Sequence, residues 1–444
     1  MDNENKFENI ADGAPIREKR RGAPIWTIVV CVVLAALIAF CSTYVFLTDK
    51  YNTSLHELEL RGIDISKDPA IKFDSAVSPA LAEMYALIDE ISELFENNYI
   101  LKADYEAAAK KIVSDYMTAT GDKYAYYYTA EEWAKEEAAS NGNSVGIGMY
   151  VEPYESESRG EFVITYVMND TPAQKAGLEA GDIIVGIDGQ SISNISYYDA
   201  VALCSGTVGT TVVLNVVRNG ENMTFTAVRD NYEVETIISN MYEVGGHKIG
   251  YIRIIQFYLV TVDQFEEALD SLRANGCEGI IFDVRSNPGG ALYAVYHILD
   301  YLLPSGPVVK LTYVDGKSYT FRSDAKCVSK MPMVVLTNEN TASAAELFTA
   351  GLRDYDYATI VGTKTYGKGC GQSEYELSNG GCVYITSFWY DPPYSENYNG
   401  VGIYPDIEVE ADEELAIKKV FIIDTEKDNQ FKAAVDEILK KINE

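Results

Sequence analysis

Between Ser78 and about Ser140 the apolar residues fall at three- and four-residue steps. Leu81, Met84, Leu87, Ile88, Ile91, Leu94 and Phe95 form one stripe, and the stretch from Tyr105 to Met117 repeats the pattern with alanine filling. Such spacing predicts amphipathic helices. Asn141-Gly142-Asn143 closes the run as a loop. The period then changes. Phe162-Val163-Ile164 and the stretch from Thr211 to Val217 are β-branched runs bounded by glycine and asparagine, as short strands require. Beyond Tyr242 strand and helix patterns alternate. Strands are predicted over 248–254, 279–284, 332–337 and 359–362, and helices over 262–274, 291–303 and 342–353. That alternation predicts an α/β core on a mostly parallel sheet. After Pro405 the chain ends in an acidic tail predicted to be helical, with Phe431, Val435, Ile438 and Leu439 on one face.

One apolar run is too long for these elements. The 23 positions from Ile25 to Leu47 carry no charge, and about 20 apolar residues suffice to span a bilayer. Arg17, Lys19, Arg20 and Arg21 precede the run, whereas Asp49, Glu57 and Glu59 follow it. The positive-inside rule then keeps 1–24 in the cytoplasm and exports everything after Thr48. A cleaved signal peptide and a buried core helix compete with this reading. The run exceeds a usual signal core, and no small-residue cleavage pattern ends it. The expectation is therefore a single-pass anchor in the cell membrane with an extracytoplasmic remainder. The chain divides into a cytoplasmic tail (1–24), transmembrane helix (25–47), helical region (48–142), strand-rich module (143–235), α/β core (236–412) and C-terminal helical tail (413–444).

Charge narrows the function. Across 444 residues, 67 acidic side chains face 36 basic ones, for a net charge of −31. Nonspecific nucleic-acid binding is excluded, because neutralising phosphates needs a basic surface. Only His56, His247 and His297 are available to a histidine-based metal site, and His56-Glu57 lacks the second histidine of a zinc-binding helix. The seven cysteines (31, 41, 204, 277, 327, 370 and 382) lack the close pairs of a disulfide framework and read as small hydrophobes.

The strand-rich module carries Gly146-Ile147-Gly148, whose successive N–H groups could converge on a carboxylate. It also carries Pro172-Ala173-Gln174-Lys175-Ala176-Gly177-Leu178-Glu179-Ala180-Gly181-Asp182. That longer string resembles the PDZ domains embedded in bacterial proteases. The resemblance implies that a peptide C-terminus pairs beside the strand after Gly148, its carboxylate on Gly146, Ile147 and Gly148. Cys204-Ser205-Gly206 stands where many relatives have Ile-Arg-Gly.

In the α/β core, Thr341-Ala342-Ser343-Ala344-Ala345-Glu346 follows a predicted strand and opens a predicted helix. A serine there sits where the helix N-terminus stabilises developing negative charge, although the same position suits an ordinary helix cap. Gly362-Thr363-Lys364-Thr365-Tyr366-Gly367-Lys368 nearly spells a phosphate-binding loop, but Gly369 stands where Ser or Thr must bind magnesium. Its alternative use is as a base: a buried lysine loses its proton more readily, because desolvation disfavours the ammonium. Gln372 could orient the amine without adding charge.

Ser343, Lys368 25 positions on and Gln372 four beyond that resemble the carboxy-terminal processing peptidases, a Ser-Lys family of serine proteases. Gly250–Ile254, Asp283-Val284-Arg285-Ser286-Asn287-Pro288-Gly289-Gly290 and Gly402–Val409 match as well. The resemblance implies a serine-type endopeptidase with Ser343 as nucleophile, Lys368 as general base, Gln372 as its orienting partner, and an oxyanion hole of the Gly289 and Ala344 N–H groups. It implies no metal or organic cofactor, protein substrates with exposed C-termini, and a homodimer joined through terminal helices. Two departures stand out: Thr341 in place of the more common serine, and Cys370-Gly371 where relatives favour a β-branched residue. Two other readings stay open: a catalytically silent PDZ scaffold, and a membrane NTPase built on the Gly362–Lys368 stretch.

Overall fold

The computed structural model describes residues 79–154, 156–324, 331–412 and 427–444. The apolar run Ile25–Leu47 and most of the linker to the C-terminal helix lie outside them. Among the described residues no helix is long and apolar enough to cross a membrane. The described residues fall into two units, divided between Ala103 and Asp104. In the first, helix α1 (Pro79–Asn98) carries the predicted stripe, with Leu87, Ile91, Leu94 and Phe95 each at least half exposed.

The second unit begins with α2 (Tyr105–Ala119), whose first turn is capped by Asp104 accepting the Ala107 N–H at 3.0 Å. A short strand β1 (Tyr126–Tyr128) and helix α3 (Ala130–Ser140) follow. Thr129 and Glu132 cap α3 reciprocally, the capping-box arrangement.

The strand-rich module then runs through β2 (Asn143–Gly146), β3 (Met149–Pro153), β4 (Phe162–Val167), α4 (Pro172–Ala176), β5 (Ile183–Ile187), β6 (Gln190–Ser191), α5 (Tyr197–Ala202), β7 (Thr211–Arg218), β8 (Glu221–Val228) and β9 (Asp230–Glu233). Its main sheet has the order β3-β4-β5-β7-β8, with β6 on β5, while β2 pairs with β9. Phe162, Ile164, Ile184 and Leu214, all fully buried, form its core. Thr171 and Pro172 start α4, and Gly177 ends it at φ 85°, a left-handed value that glycine adopts without Cβ strain.

The α/β core comprises β10 (Ile237–Val244), β11 (His247–Ile254), α6 (Thr261–Ala274), β12 (Gly279–Asp283), α7 (Leu292–Leu302), β13 (Gly306–Tyr313), β14 (Ser318–Ser323), β15 (Met333–Thr337), α8 (Ala344–Asp354), β16 (Ala358–Gly362), β17 (Cys370–Glu376), β18 (Cys382–Asp391), β19 (Ile407–Glu408) and α9 (Asn429–Asn443). One sheet has the order β10-β11-β12-β15-β16-β19 and is parallel except for the β10–β11 hairpin. Every residue of β12 and β15 is buried, which explains their unbroken apolar runs. The tail helix α9 is part of this core: Phe431, Ala434, Val435 and Ile438 pack with Ile249, Ile281, Val334 and Val361.

A second, antiparallel sheet adds to the elements that the sequence pattern predicts. Its order is β1-β18-β13-β14, with β17 also on β18. The segment read as wholly helical up to Ser140 therefore contains a strand, β1, and that strand belongs to the core's sheet. Apart from β13, whose Val308, Val309 and Leu311 are buried, these strands are rich in tyrosine and polar residues and only partly buried, so they carry no apolar run, as the alternating exposure of β14 shows. Aromatic contacts such as Tyr128–Tyr384 and Trp133–Tyr384 hold β1 and β18.

Candidate active site

The site lies at the carboxyl ends of β12, β15 and β16, where neighbouring loops of an α/β sheet diverge and leave room for a ligand. Side chains stitch those loops together. Asn338 accepts the Ser286 N–H at 2.7 Å and donates to the Ser286 hydroxyl at 3.0 Å. Thr341, fully buried, donates to Val284 O at 2.8 Å and accepts the Asn338 N–H at 3.0 Å. A hydroxyl at 341 is thus structural, and threonine supplies it as serine would.

Ser343 sits immediately before α8 at φ 58°, ψ −121°. For a residue with a Cβ this conformation costs on the order of 1–3 kcal/mol. The helix cap does not consume its hydroxyl. Glu346 N donates to the Ser343 carbonyl at 2.9 Å, while the Glu346 carboxylate takes the Ser343 N–H at 2.9 Å. The Ser343 hydroxyl instead lies 3.4 Å from the Tyr390 hydroxyl. Tyr390 also bonds the Lys368 carbonyl. A carbonyl can only accept, so the single phenolic proton goes there, and the Ser343 proton is free to point at the phenolic oxygen.

Glu346 organises the site, and neither its role nor that of Tyr390 was read from the sequence. Its two oxygens accept from Thr365 Oγ1 (2.5 Å), Gly367 N (2.7 Å), Lys368 N (2.8 Å) and Ser343 N (2.9 Å). Burial holds its carboxyl above the usual range, with those four bonds opposing only in part. The available signal was its place three residues after Ser343, the capping-box spacing.

The lysine loop packs tightly. A Cβ at Gly367 would sit 2.8 Å from Gly402 N, and one at Gly369 would sit 2.1 Å from Asn397 Oδ1. The stretch resembling a phosphate-binding loop leads into strand β17 and not into a helix, so it lacks the helix N-terminus that such loops need. Lys368 is largely buried, and desolvation lowers its pKa from the ordinary lysine value, with nearby Cys370, Asp122 and Glu346 opposing. Its Nζ donates to Gln372 Oε1 at 2.8 Å and lies 4.6 Å from the centre of the Tyr124 ring. The structure thus brings Lys368 to Gln372 as expected. Lys368 Nζ and Ser343 Oγ make no hydrogen bond with each other, and Tyr390 touches both residues. Gly371 is explained by Phe388, whose ring would lie 2.2 Å from a Cβ there.

Gly289 packs directly against Ser343, since a Cβ on it would be 2.7 Å from Ser343 Cβ and 2.9 Å from Ala344 N. Its own N–H donates to Asn287 Oδ1 at 2.8 Å, and Asn287 Nδ2 donates to Ile254 O at 2.8 Å. Of the two expected oxyanion donors, Ala344 N–H is therefore free in the first helical turn and Gly289 N–H is engaged. Gly146, Ile147 and Gly148 lie apart from this site, in the strand-rich module. There Ala173 N donates to Ile147 O at 2.7 Å, and Thr171 Oγ1 donates to Gly148 O at 3.2 Å. Of the histidines, His247 contacts Glu278 at 2.9 Å and His297 lies between the Tyr293 and Tyr296 rings. Neither joins Ser343.

Sequence comparison agrees with this geometry. Residues 248–409 match the model of peptidase family S41, and residues 163–218 match a PDZ domain. The carboxyl-terminal-processing protease of a Picosynechococcus species is 30% identical over 330 residues, covering 74% of this chain and 78% of the relative. The chain belongs to the S41 peptidase family. The carboxy-terminal processing protease CtpA of Bacillus subtilis is 29% identical over 325 residues, covering 73% of this chain and 68% of CtpA. An S41-family crystal structure from Bacteroides fragilis shares the fold, with a TM-score of 0.54 at 16% identity over 77% of this chain and 92% of that one. This S41 peptidase is therefore a serine-type peptidase with an inserted PDZ domain.

Proposed function

We propose that this S41 peptidase is a membrane-anchored endopeptidase that cleaves exported proteins through a Ser343–Lys368 dyad, with the PDZ domain receiving substrate C-termini. The observation that carries the reading is the buried Lys368 amine. It bonds the neutral Gln372 amide instead of a carboxylate, on a loop fixed to Ser343 through Glu346. An amine so placed can be neutral at moderate pH and act as a base.

In this scheme the neutral Lys368 amine turns from Gln372 and takes the Ser343 proton, and Oγ attacks the scissile carbonyl. Charge gathering on the carbonyl oxygen meets the Ala344 N–H and the α8 N-terminus. The Gly289 N–H exchanges Asn287 for the oxyanion as the second donor. Collapse breaks the C–N bond, and the Lys368 ammonium returns its proton to the leaving amine. Water then gives a proton to Lys368 and attacks the acyl ester, and collapse breaks the C–Oγ bond as Lys368 returns that proton to Ser343 Oγ. The peptide C-terminus would extend the PDZ sheet beside β3, its carboxylate on the Gly146–Gly148 loop. The Ile25–Leu47 run and its basic N-terminal flank support an anchor with the catalytic unit outside the cytoplasm. The exposed apolar stripe of α1 supports a homodimer, whereas the apolar face of α9 is spent on the core.

Digestion of casein by the full chain, compared with Ser343→Ala, tests the reading. Cleavage abolished by the substitution supports a Ser343 peptidase. Undiminished cleavage, or no cleavage by either protein with peptide binding intact, would leave a tethered peptide binder.

A further inference from the structure

We propose that Asp122, on the turn between α2 and β1, is a positioning residue for the Lys368–Gln372 pair and acts through Thr386. The inference rests on Lys368 being the base. Asp122 Oδ2 accepts the Thr386 N–H at 2.8 Å, and Asp122 Oδ1 accepts the Thr386 hydroxyl proton at 2.8 Å. Thr386 on β18 lies directly across from Gln372 on β17, beside a register shift between Gly371 and Gln372.

The orientation follows from donor bookkeeping. A carboxylate only accepts, so the one hydroxyl proton of Thr386 is committed to Asp122. Thr386 Oγ1 can then only accept from Gln372, whose Nε2 is 3.4 Å away. With its NH₂ end held by Thr386, the Gln372 amide turns its oxygen to Lys368, where it accepts from Nζ at 2.8 Å. Were the amide reversed, two N–H donors would face the amine, and the lysine would lose its partner. Asp122 is ionised for this task. Burial opposes the charge, yet the bonds from Thr386 and from the Tyr124 and Ala125 N–H groups hold its carboxyl below the usual range.

The same turn reaches the lysine a second way. Asp122 Oδ1 accepts the Tyr124 N–H at 3.1 Å, and the Tyr124 ring faces Lys368 Nζ at 4.6 Å. The groups facing the amine are thus Asp122, Lys123 and Tyr124 from the turn, Glu346 from α8, and Gln372 and Cys370 from β17. Asp122 supplies one of the negative charges near the amine, beside Glu346, and also the orientation of the acceptor.

The test measures kcat, KM, the pH–rate limb and thermal unfolding of the full chain on one peptide substrate. Wild type is compared with Asp122→Asn, Thr386→Val, Thr386→Ser and Lys368→Arg. Asp122→Asn and Thr386→Val are expected to lower kcat by about 10- to 100-fold, the scale of a small misplacement, with little change in KM. Their limb should move to lower pH, because both lose the oriented acceptor that favours the ammonium and Asp122→Asn also loses a negative charge. Thr386→Ser keeps the hydroxyl and should behave as wild type. Wild-type kcat and limb in Asp122→Asn, beside an inactive Lys368→Arg, would overturn the proposal and leave the dyad standing. So would a fall in kcat with an unmoved limb and a lowered unfolding midpoint, which marks a purely structural role. Activity in Lys368→Arg would overturn the dyad itself.

Discussion

Ser343 and Lys368 are joined through one oxygen atom. Glu346 Oε2 accepts the backbone N–H of Ser343 at 2.9 Å and that of Lys368 at 2.8 Å, so the start of α8 and the lysine loop are held in register 25 residues apart in sequence. The other oxygen holds Thr365 and Gly367, which fixes the loop's approach.

Glu346→Ala removes the acceptor for four donors at once. Each buried donor left unpaired costs about 1–3 kcal/mol, and neighbouring losses do not simply add. We expect a net destabilisation of about 3–5 kcal/mol in urea unfolding, with activity falling even where the protein remains folded. Unchanged stability would show that the carboxylate is not the strut described.

Tyr390→Phe removes the phenol that bonds the Lys368 carbonyl and approaches Ser343. Burial keeps Tyr390 neutral across the working pH range, so its loss should not shift the pH–rate limb. A stability loss of about 1 kcal/mol and a lowered kcat are expected from the lost bond. A displaced limb would instead make Tyr390 a titrating participant.

Much of this was legible in the chain. The parallel sheet announced itself because β12 and β15 are buried on both faces and must be apolar throughout. Ser343, Lys368 and Gln372 were legible because their spacing combines with glycines that the packing at Gly367, Gly369 and Gly371 requires. Glu346, Tyr390 and Asp122 were not. Each acts through a fold contact, Asp122 reaching Thr386 across 264 positions, and no local pattern encodes such a pairing. The antiparallel sheet was missed for a related reason, since β1 and β18 meet only in three dimensions.

Asp283 anchors the turn that carries Gly289. Fully buried, it pairs with Arg285 at 2.7 Å and Arg253 at 3.4 Å, and Arg285 also reaches Asp428 before α9 at 2.8 Å. Burial alone would raise its pKa, but the two guanidinium groups outweigh burial and hold it at about 2. A depressed carboxyl stabilises the fold above its unfolded value near 4, and that contribution fades as pH falls from about 5 towards 2. It amounts to about 2 kcal/mol. Asp283→Asn should cost about 3–5 kcal/mol at neutral pH by leaving buried arginines uncompensated, and should flatten the acid limb of stability. Urea unfolding at several pH values checks both, and an acid limb as steep as wild type would refute the assignment.

The central claim is that Lys368 must lose a proton before Ser343 can attack, and the pH dependence of kcat/KM in wild type and Lys368→Arg tests it most directly. We expect wild-type activity to rise with pH through a single group below the ordinary lysine value, since burial lowers Lys368. Lys368→Arg should be inactive at every pH, because a guanidinium keeps its charge throughout. Appreciable turnover in Lys368→Arg, with the same rising limb, would contradict the account.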